Sequence, residues 1–197
     1  MRFLALDFEA SNILNPAPVT LGLAIFQDGE VEASREWLFK PLRDYKGDLR
    51  FDYSANAEQI HGKTLAIMES EGQDEHQIYS EVLDFLGKKW SNPIVSHMAS
   101  YDQGVWGNMM FVLSSYDRVK KLSIPKQEVL TGPWICTKRI AQSFLQVPEH
   151  VQNLKLDTLC KYYGIGKQGD VHGAEADAIL AGKLYLSLKG KAKEQAA

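Results

Sequence analysis

Cysteine is scarce. The 197 residues hold two, Cys136 and Cys160, too few for a disulfide framework or a four-thiolate zinc site, so both read as buried free thiols. Long apolar runs are absent as well: none approaches the ~20 residues of a membrane span. Nor is there a leader pattern, because Arg2 is followed directly by a strand-like stretch with no h-region or small-residue cleavage site. The reading is a cytoplasmic chain with no membrane partner. A strong excess of one charge is missing too: 22 basic residues stand against 25 acidic ones, a net charge of −3, which does not advertise a nucleic-acid binder. There is no internal repeat and no linker. What remains is an ordinary globular composition, 45% hydrophobic and 24% charged. The length suits one domain, taken as residues 1–190 with 191–197 as a frayed tail.

Strand signals dominate the first forty residues. "MRFLALDF" is followed by "VTLGLAIFQDGEVEASREWLFKP", and Asp28-Gly29 between apolar runs signals a hairpin. Pro41 marks the end of the third strand. Residues 42–72 are polar and weakly periodic, which predicts a long loop with one short helical turn. From Asp74 the pattern becomes helical through Ile78, Val82, Phe85 and Leu86 as far as Trp90. "NPIVSH" and "PWICT" read as short strands. "YDQGVWGNMMFVL", "KRIAQSFL", "NLKLDTLCKYYG" and "GAEADAILAGKLYLSLKG" read as helices, with 114–132 as a basic, irregular connection. Asn153 is a candidate N-cap and Gly164 a candidate C-terminal glycine. The sum is an α/β fold: a mixed five-stranded sheet, three antiparallel strands then parallel ones, flanked by helices.

Within this pattern several acids are misplaced for a core. Asp7 and Glu9 end the first strand two residues apart, so they share a face, roughly 7 Å apart at Cα. Two like charges beside apolar neighbours need a neutralising partner. A divalent cation would serve; alternatively Glu9 has left the strand for solvent. Asp102 begins the apolar stripe of Val105, Trp106 and Met109, where it serves equally well as a helix cap. Asp177 lies on the stripe of Leu180, Ala181, Leu184 and Leu188, a turn further in, where capping explains it less well. No Lys or Arg on these stripes pairs with the acids. Hard carboxylate oxygens suit Mg²⁺ or Mn²⁺. His172, five residues before Asp177 and flanked by Gly169 and Gly173, is either a surface histidine or a proton acceptor beside metal.

Taken in order, these motifs resemble those of the DEDDh 3′–5′ exonucleases, the DnaQ-like group with the ribonuclease H-like fold. D-x-E is Asp7-Phe8-Glu9, the second motif is "HMASYD" ending in Asp102, and H-x-A-x-x-D-A is "HGAEADA" with His172 and Asp177. "QIHGKT" and "ICTKRIAQSF" are similar to further family segments, and the likeness runs from about residue 3 to about 188. There are departures. Met98 and Tyr101 replace the Asn and Phe of the second motif, and Ala10-Ser11-Asn12 replaces the Thr-Thr-Gly after D-x-E. Gly173 disfavours the tyrosine variant of the superfamily.

The resemblance implies two Mg²⁺ ions, with Mn²⁺ as a substitute, on Asp7, Glu9, Asp102 and Asp177, and His172 as the general base. It implies release of 5′-mononucleotides from the 3′ ends of single-stranded DNA, favoured over RNA. Ala10, Ser11, Ile60 and His61 become the substrate contacts. With four acids on metal, 21 remain against 22 basic residues, so the total charge is compatible with phosphate binding. Arg118, Lys120, Lys121 and Lys126, then Lys138 and Arg139, then Lys155 and Lys161, read mostly as solvated faces. Two alternatives stay open: trimming of RNA or short oligoribonucleotides, and a catalytically silent nucleic-acid-binding module. A homodimer, or docking to a larger nucleic-acid-processing complex, are the partner arrangements the family allows.

Overall fold

The Asp28-Gly29 turn places two successive residues in the left-handed region, φ 52° and 98°, the twist a two-residue hairpin needs. It joins β2 (Pro18–Gln27) to β3 (Glu30–Leu38), and β2 pairs on its other side with β1 (Arg2–Ala10). In the computed structural model, which describes residues 1–44, 46–120, 129–144, 151, 153–166 and 173–195, these form the antiparallel part of a five-stranded sheet. The short strands β4 (Ile94–Ser96) and β5 (Trp134–Cys136) add in parallel, giving the order β3-β2-β1-β4-β5. This is the mixed sheet the sequence implies, with the ribonuclease H-like arrangement.

Seven helices lie among the described residues: α1 (Ala55–His61), α2 (Leu65–Glu71), α3 (Glu75–Leu86), α4 (Ala99–Lys120), α5 (Thr137–Phe144), α6 (Leu156–Tyr162) and α7 (Ala174–Gln195). Alternation along β1 sends Leu4, Leu6 and Phe8 to one face, where Val82 of α3 and Val105, Met109 and Leu113 of α4 complete the larger core. Phe3 and Ala5 point to the other face, against Ala24, Phe26 and Ala178 of α7. On that face the side chains shrink along the paired strands: Phe3 opposite Phe26, Ala5 opposite Ala24, Asp7 opposite Gly22. The Phe3 and Phe26 rings stack at 4.7 Å. At the far end, a Cβ on Gly22 would lie 2.0 Å from the carbonyl carbon of Ala174. The taper lets the start of α7 press onto the sheet beside Asp7.

Several sequence expectations are corrected. Residues 42–72 are not a loop with one turn but contain α1 and α2. Ser54 and Thr64 accept from Ala57 N–H and Ile67 N–H as N-caps, and Gly62, at φ 70°, and Gly72 close the helices. Neither helix has enough apolar periodicity to show in a pattern search, since α1 buries no residue and α2 buries only Met68. The third strand stops at Leu38, short of Pro41, and α3 stops at Leu86 under a left-handed Gly87, short of Trp90. Helix α4 continues to Lys120, into the stretch read as irregular. Asn153 lies outside α6, where its side-chain oxygen accepts from Lys155 N–H and the Thr158 hydroxyl; Lys155 takes the cap position. Gly164 does adopt the left-handed conformation after α6, φ 67°. Helix α7 runs to Gln195, within the stretch taken as a tail. Both cysteines are free, Cys160 buried and Cys136 half-buried. Among the described residues no helix is long and apolar enough to cross a membrane.

Candidate active site

Glu9 has not left its strand. It pairs with Thr20 at the end of β1, where a register shift between Glu9 and Ala10 bends the chain away from the sheet. Asp7 and Glu9 therefore stay on the α7 face. Over that face comes the first turn of α7, admitted by Gly22, and with it Asp177. Carboxylate oxygens of Asp7, Glu9 and Asp177 all lie within 4.8 Å of one another. Three acids in one place oppose each other's ionisation. Burial, then the charge of Asp102, then those of Glu9, Asp177 and Glu36, hold the Asp7 carboxyl well above the usual range.

Asp102 stands beside this trio, in the first turn of α4. Its Oδ1 accepts from the Phe8 backbone N–H at 3.1 Å, and its Oδ2 accepts from the Ser96 hydroxyl. It is 2% exposed, and burial lifts its pKa to about 7 despite those two donors. The carboxylate is thus bound to the middle of the sheet, one hydrogen bond to β1 and one to the end of β4. The donor set of the four acids is all oxygen, with Asp7, Glu9 and Asp177 clustered, which fits hard divalent cations and not a soft thiolate metal. His172 lies outside the described residues, as do Lys121 and Lys126.

Next to Glu9 opens a cleft of about 450 Å³, lined by Phe8, Glu9, Ala10, Asn12, Ser54, Ile60, His61 and Tyr101 among others. Ala10, Ile60 and His61 all line it. Ile60 is 69% exposed on the rim, an apolar side chain held in water beside the acids. His61 accepts the Lys63 N–H at Nδ1, which leaves its proton on Nε2, and burial lowers its pKa. Ser11 is not on the cleft. It is 1% exposed, and its hydroxyl accepts from Ala17 N–H and the Asn12 side chain, so it holds the loop instead of the substrate.

The departures from the family motifs meet in space. The Tyr101 hydroxyl donates to the Asn12 carbonyl at 2.8 Å. The Asn12 side-chain amide donates to the carbonyls of Asn15 and Asp52, while its oxygen accepts from Asn15 N–H. Ser54 N–H donates to the Ser11 carbonyl, tying the cap of α1 to the exit of β1. Sequence reasoning singled out neither Ser96 nor Gly22 nor Glu36. The only available signals were a serine directly before the second motif and a glycine inside a buried strand.

No protein-family model matches the chain. Among curated proteins it is similar to "DNA polymerase III subunit epsilon" of Buchnera aphidicola subsp. Schizaphis graminum (strain Sg), 28% identical over 188 residues, covering 94% of this chain and 73% of that one. Among solved structures it is similar to the nuclease domain of 3′hExo, described as a DEDDh family member bound to rAMP, with TM-score 0.67, 14% identity, and coverage of 96% and 92%. It is also similar to the zinc-bound form of the E. coli ExoI–ssDNA complex, TM-score 0.71 and 17% identity, covering 98% of this chain and 41% of that one. The chain therefore shares a fold with these nucleases along nearly its whole length, and a sequence relationship with the polymerase subunit.

Proposed function

We infer that this chain, which groups with the DEDDh, DnaQ-like 3′–5′ exonucleases by motif, fold and relatives, is a divalent-metal-dependent 3′–5′ exonuclease acting at Asp7, Glu9, Asp102 and Asp177. The observation that carries it is the gathering of three motif carboxylates within 4.8 Å, beside an open cleft and with Asp102 adjoining. Divalent cations on these acids, Mg²⁺ or Mn²⁺, would supply Lewis-acid charge for an in-line displacement at phosphorus. His172, one residue before Gly173 and five before Asp177, takes the proton of the attacking water. The cleft holds the terminal nucleotide, with Ile60 and His61 against the base and Ala10 on the floor. Ser11 supports that floor from beneath.

The substrate is single-stranded DNA with a free 3′ end, cut stepwise to 5′-mononucleotides. The relationship to a DNA polymerase subunit supports DNA. The test is digestion of 5′-labelled single-stranded DNA and RNA with Mg²⁺, with EDTA, and with His172→Ala. A metal-dependent ladder shrinking from the 3′ end, faster on DNA and lost in the variant, is expected. A faster ladder on RNA would reassign the substrate. Binding without cleavage of either strand would make the chain a silent nucleic-acid-binding module.

A further inference from the structure

Helix α7 begins at Ala174, against Gly22 of β2. The residue before it is Gly173, whose carbonyl accepts the first intrahelical bond, from Asp177 N–H at 3.0 Å. Glycine brings no side-chain acceptor for the free N–H groups that follow. The acceptor comes from elsewhere. Glu36 of β3 takes the Glu175 N–H on its Oε2 at 3.0 Å, across 139 positions of sequence. Its neighbour two residues earlier, Ser34, donates its hydroxyl to the Glu175 carboxylate.

Glu36 is placed for this by register. It pairs with Gly22, and Gly22 pairs with Asp7. Asp7 and Glu36 thus flank a residue with no side chain, roughly 10 Å apart at two strand spacings. The first turn of α7 occupies the slot between them: a Cβ on Gly22 would sit 2.2 Å from Glu175 N, and one on Gly173 would sit 3.2 Å from the Glu36 carboxylate. The end of a helix with free N–H groups carries partial positive charge and favours such anions. An anion on the strand therefore fixes where the helix lands. We propose that Glu36 is a positioning residue of the active site: through the Glu175 N–H it seats the start of α7, and so sets the reach of Asp177 towards the acids of β1. β3, which supplies no metal ligand, then contributes to catalysis by holding the element that does. Ser34, through the Glu175 side chain, restrains the same turn.

The kinetic part of this inference rests on the nuclease reading; the structural part does not. The experiment compares Glu36→Ala with Glu36→Gln, which keeps an oxygen to accept the N–H. Three readouts are taken: exonuclease kcat and KM on a labelled oligonucleotide, Mn²⁺ titration, and hydrogen exchange at the Glu175 amide. Glu36→Ala is expected to lower kcat about 10- to 100-fold with KM nearly unchanged, to weaken Mn²⁺ binding by a similar factor, and to speed Glu175 exchange. Glu36→Gln is expected to restore most of each. Wild-type kcat, Mn²⁺ affinity and exchange in the Ala variant would overturn the proposal. So would a Gln variant as impaired as Ala, since the shared acceptor would then be irrelevant. If Glu36→Ala does not fold, Ser34→Ala takes its place, with a smaller loss in the same three readouts expected and no change overturning it. A wild-type protein that binds Mn²⁺ but cuts nothing would refute the nuclease reading while the titration and exchange still judge Glu36.

Discussion

The two sides of the candidate site are held by different forces. On the acid side, packing sets the position and the hydrogen bonds at Asp102 and Glu36 fix it: β1 is buried, its partners shrink from Phe26 to Ala24 to Gly22, and α7 closes onto the gap to deliver Asp177. On the cleft side, position follows from hydrogen bonds that tie the loop after β1 to α4 and to the start of α1. Asn12 spans to Asp52, Tyr101 reaches Asn12, and Ser54 ties α1 back to Ser11. Packing tolerates no added atom, whereas a loop network loses its members one at a time. The acid side should therefore fail abruptly on mutation and the cleft side gradually.

The largest effect is expected at the reacting groups. Asp177→Asn and His172→Ala should each cut turnover by about 10³-fold or more on a labelled oligonucleotide, with the circular dichroism of the wild type. Near-normal activity in both folded variants would remove these residues from the site. Next comes Gly22→Ala, which adds one carbon 2.0 Å from the Ala174 backbone. It should cost about 1–3 kcal/mol in urea melts and roughly 10²-fold in kcat, because the start of α7 must move. If that single methyl has no effect on either, the acid side is not held by packing.

A pH series sharpens the contrast without mutation. Asp7 and Asp102 keep their protons in the folded protein at pH values where the unfolded chain has released them. In metal-free protein the contribution of these two acids to stability should thus be full below the ordinary carboxylate pKa and be lost as pH rises from about 4 to about 7, a slope that Asp7→Asn and Asp102→Asn should flatten. Mg²⁺ should raise Tm more at pH 7.5 than at pH 5. Thermal melts with and without the ion read this directly, and the opposite slope would contradict the burial of these acids. The smallest effect belongs to the cleft side. Tyr101→Phe removes one donor to the Asn12 carbonyl and should raise KM a few-fold at constant kcat, about 1 kcal/mol of lost organisation. A collapse of kcat in that variant would erase the distinction between the two sides.

The same contrast explains what could be read in the sequence. The β1–β2–β3 meander and the later strand–helix alternation followed from local periodicity and one Asp-Gly turn. The acids were visible because carboxylates on apolar stripes conflict with burial. Helices α1 and α2 escaped because capping, not an apolar face, defines them. Ser11 was assigned to substrate from its place after D-x-E, yet its hydroxyl turns inward to Ala17. Ser96, Gly22 and Glu36 act only through partners brought close by the fold, across 6 residues for Ser96 and Asp102 and 139 for Glu36 and Glu175. A one-dimensional pattern offers a serine before the second motif and a glycine in a buried strand, but not the partners that give them a role.

The central claim is that the gathered carboxylates of Asp7, Glu9 and Asp177, with Asp102 beside them, form a divalent-metal site. A Mn²⁺ titration followed by electron paramagnetic resonance, on wild type and on Asp7→Asn, tests it most directly. Two bound ions in the wild type and markedly weaker binding in the variant are predicted. No Mn²⁺ binding by the folded wild type, or identical binding by the two proteins, would contradict it.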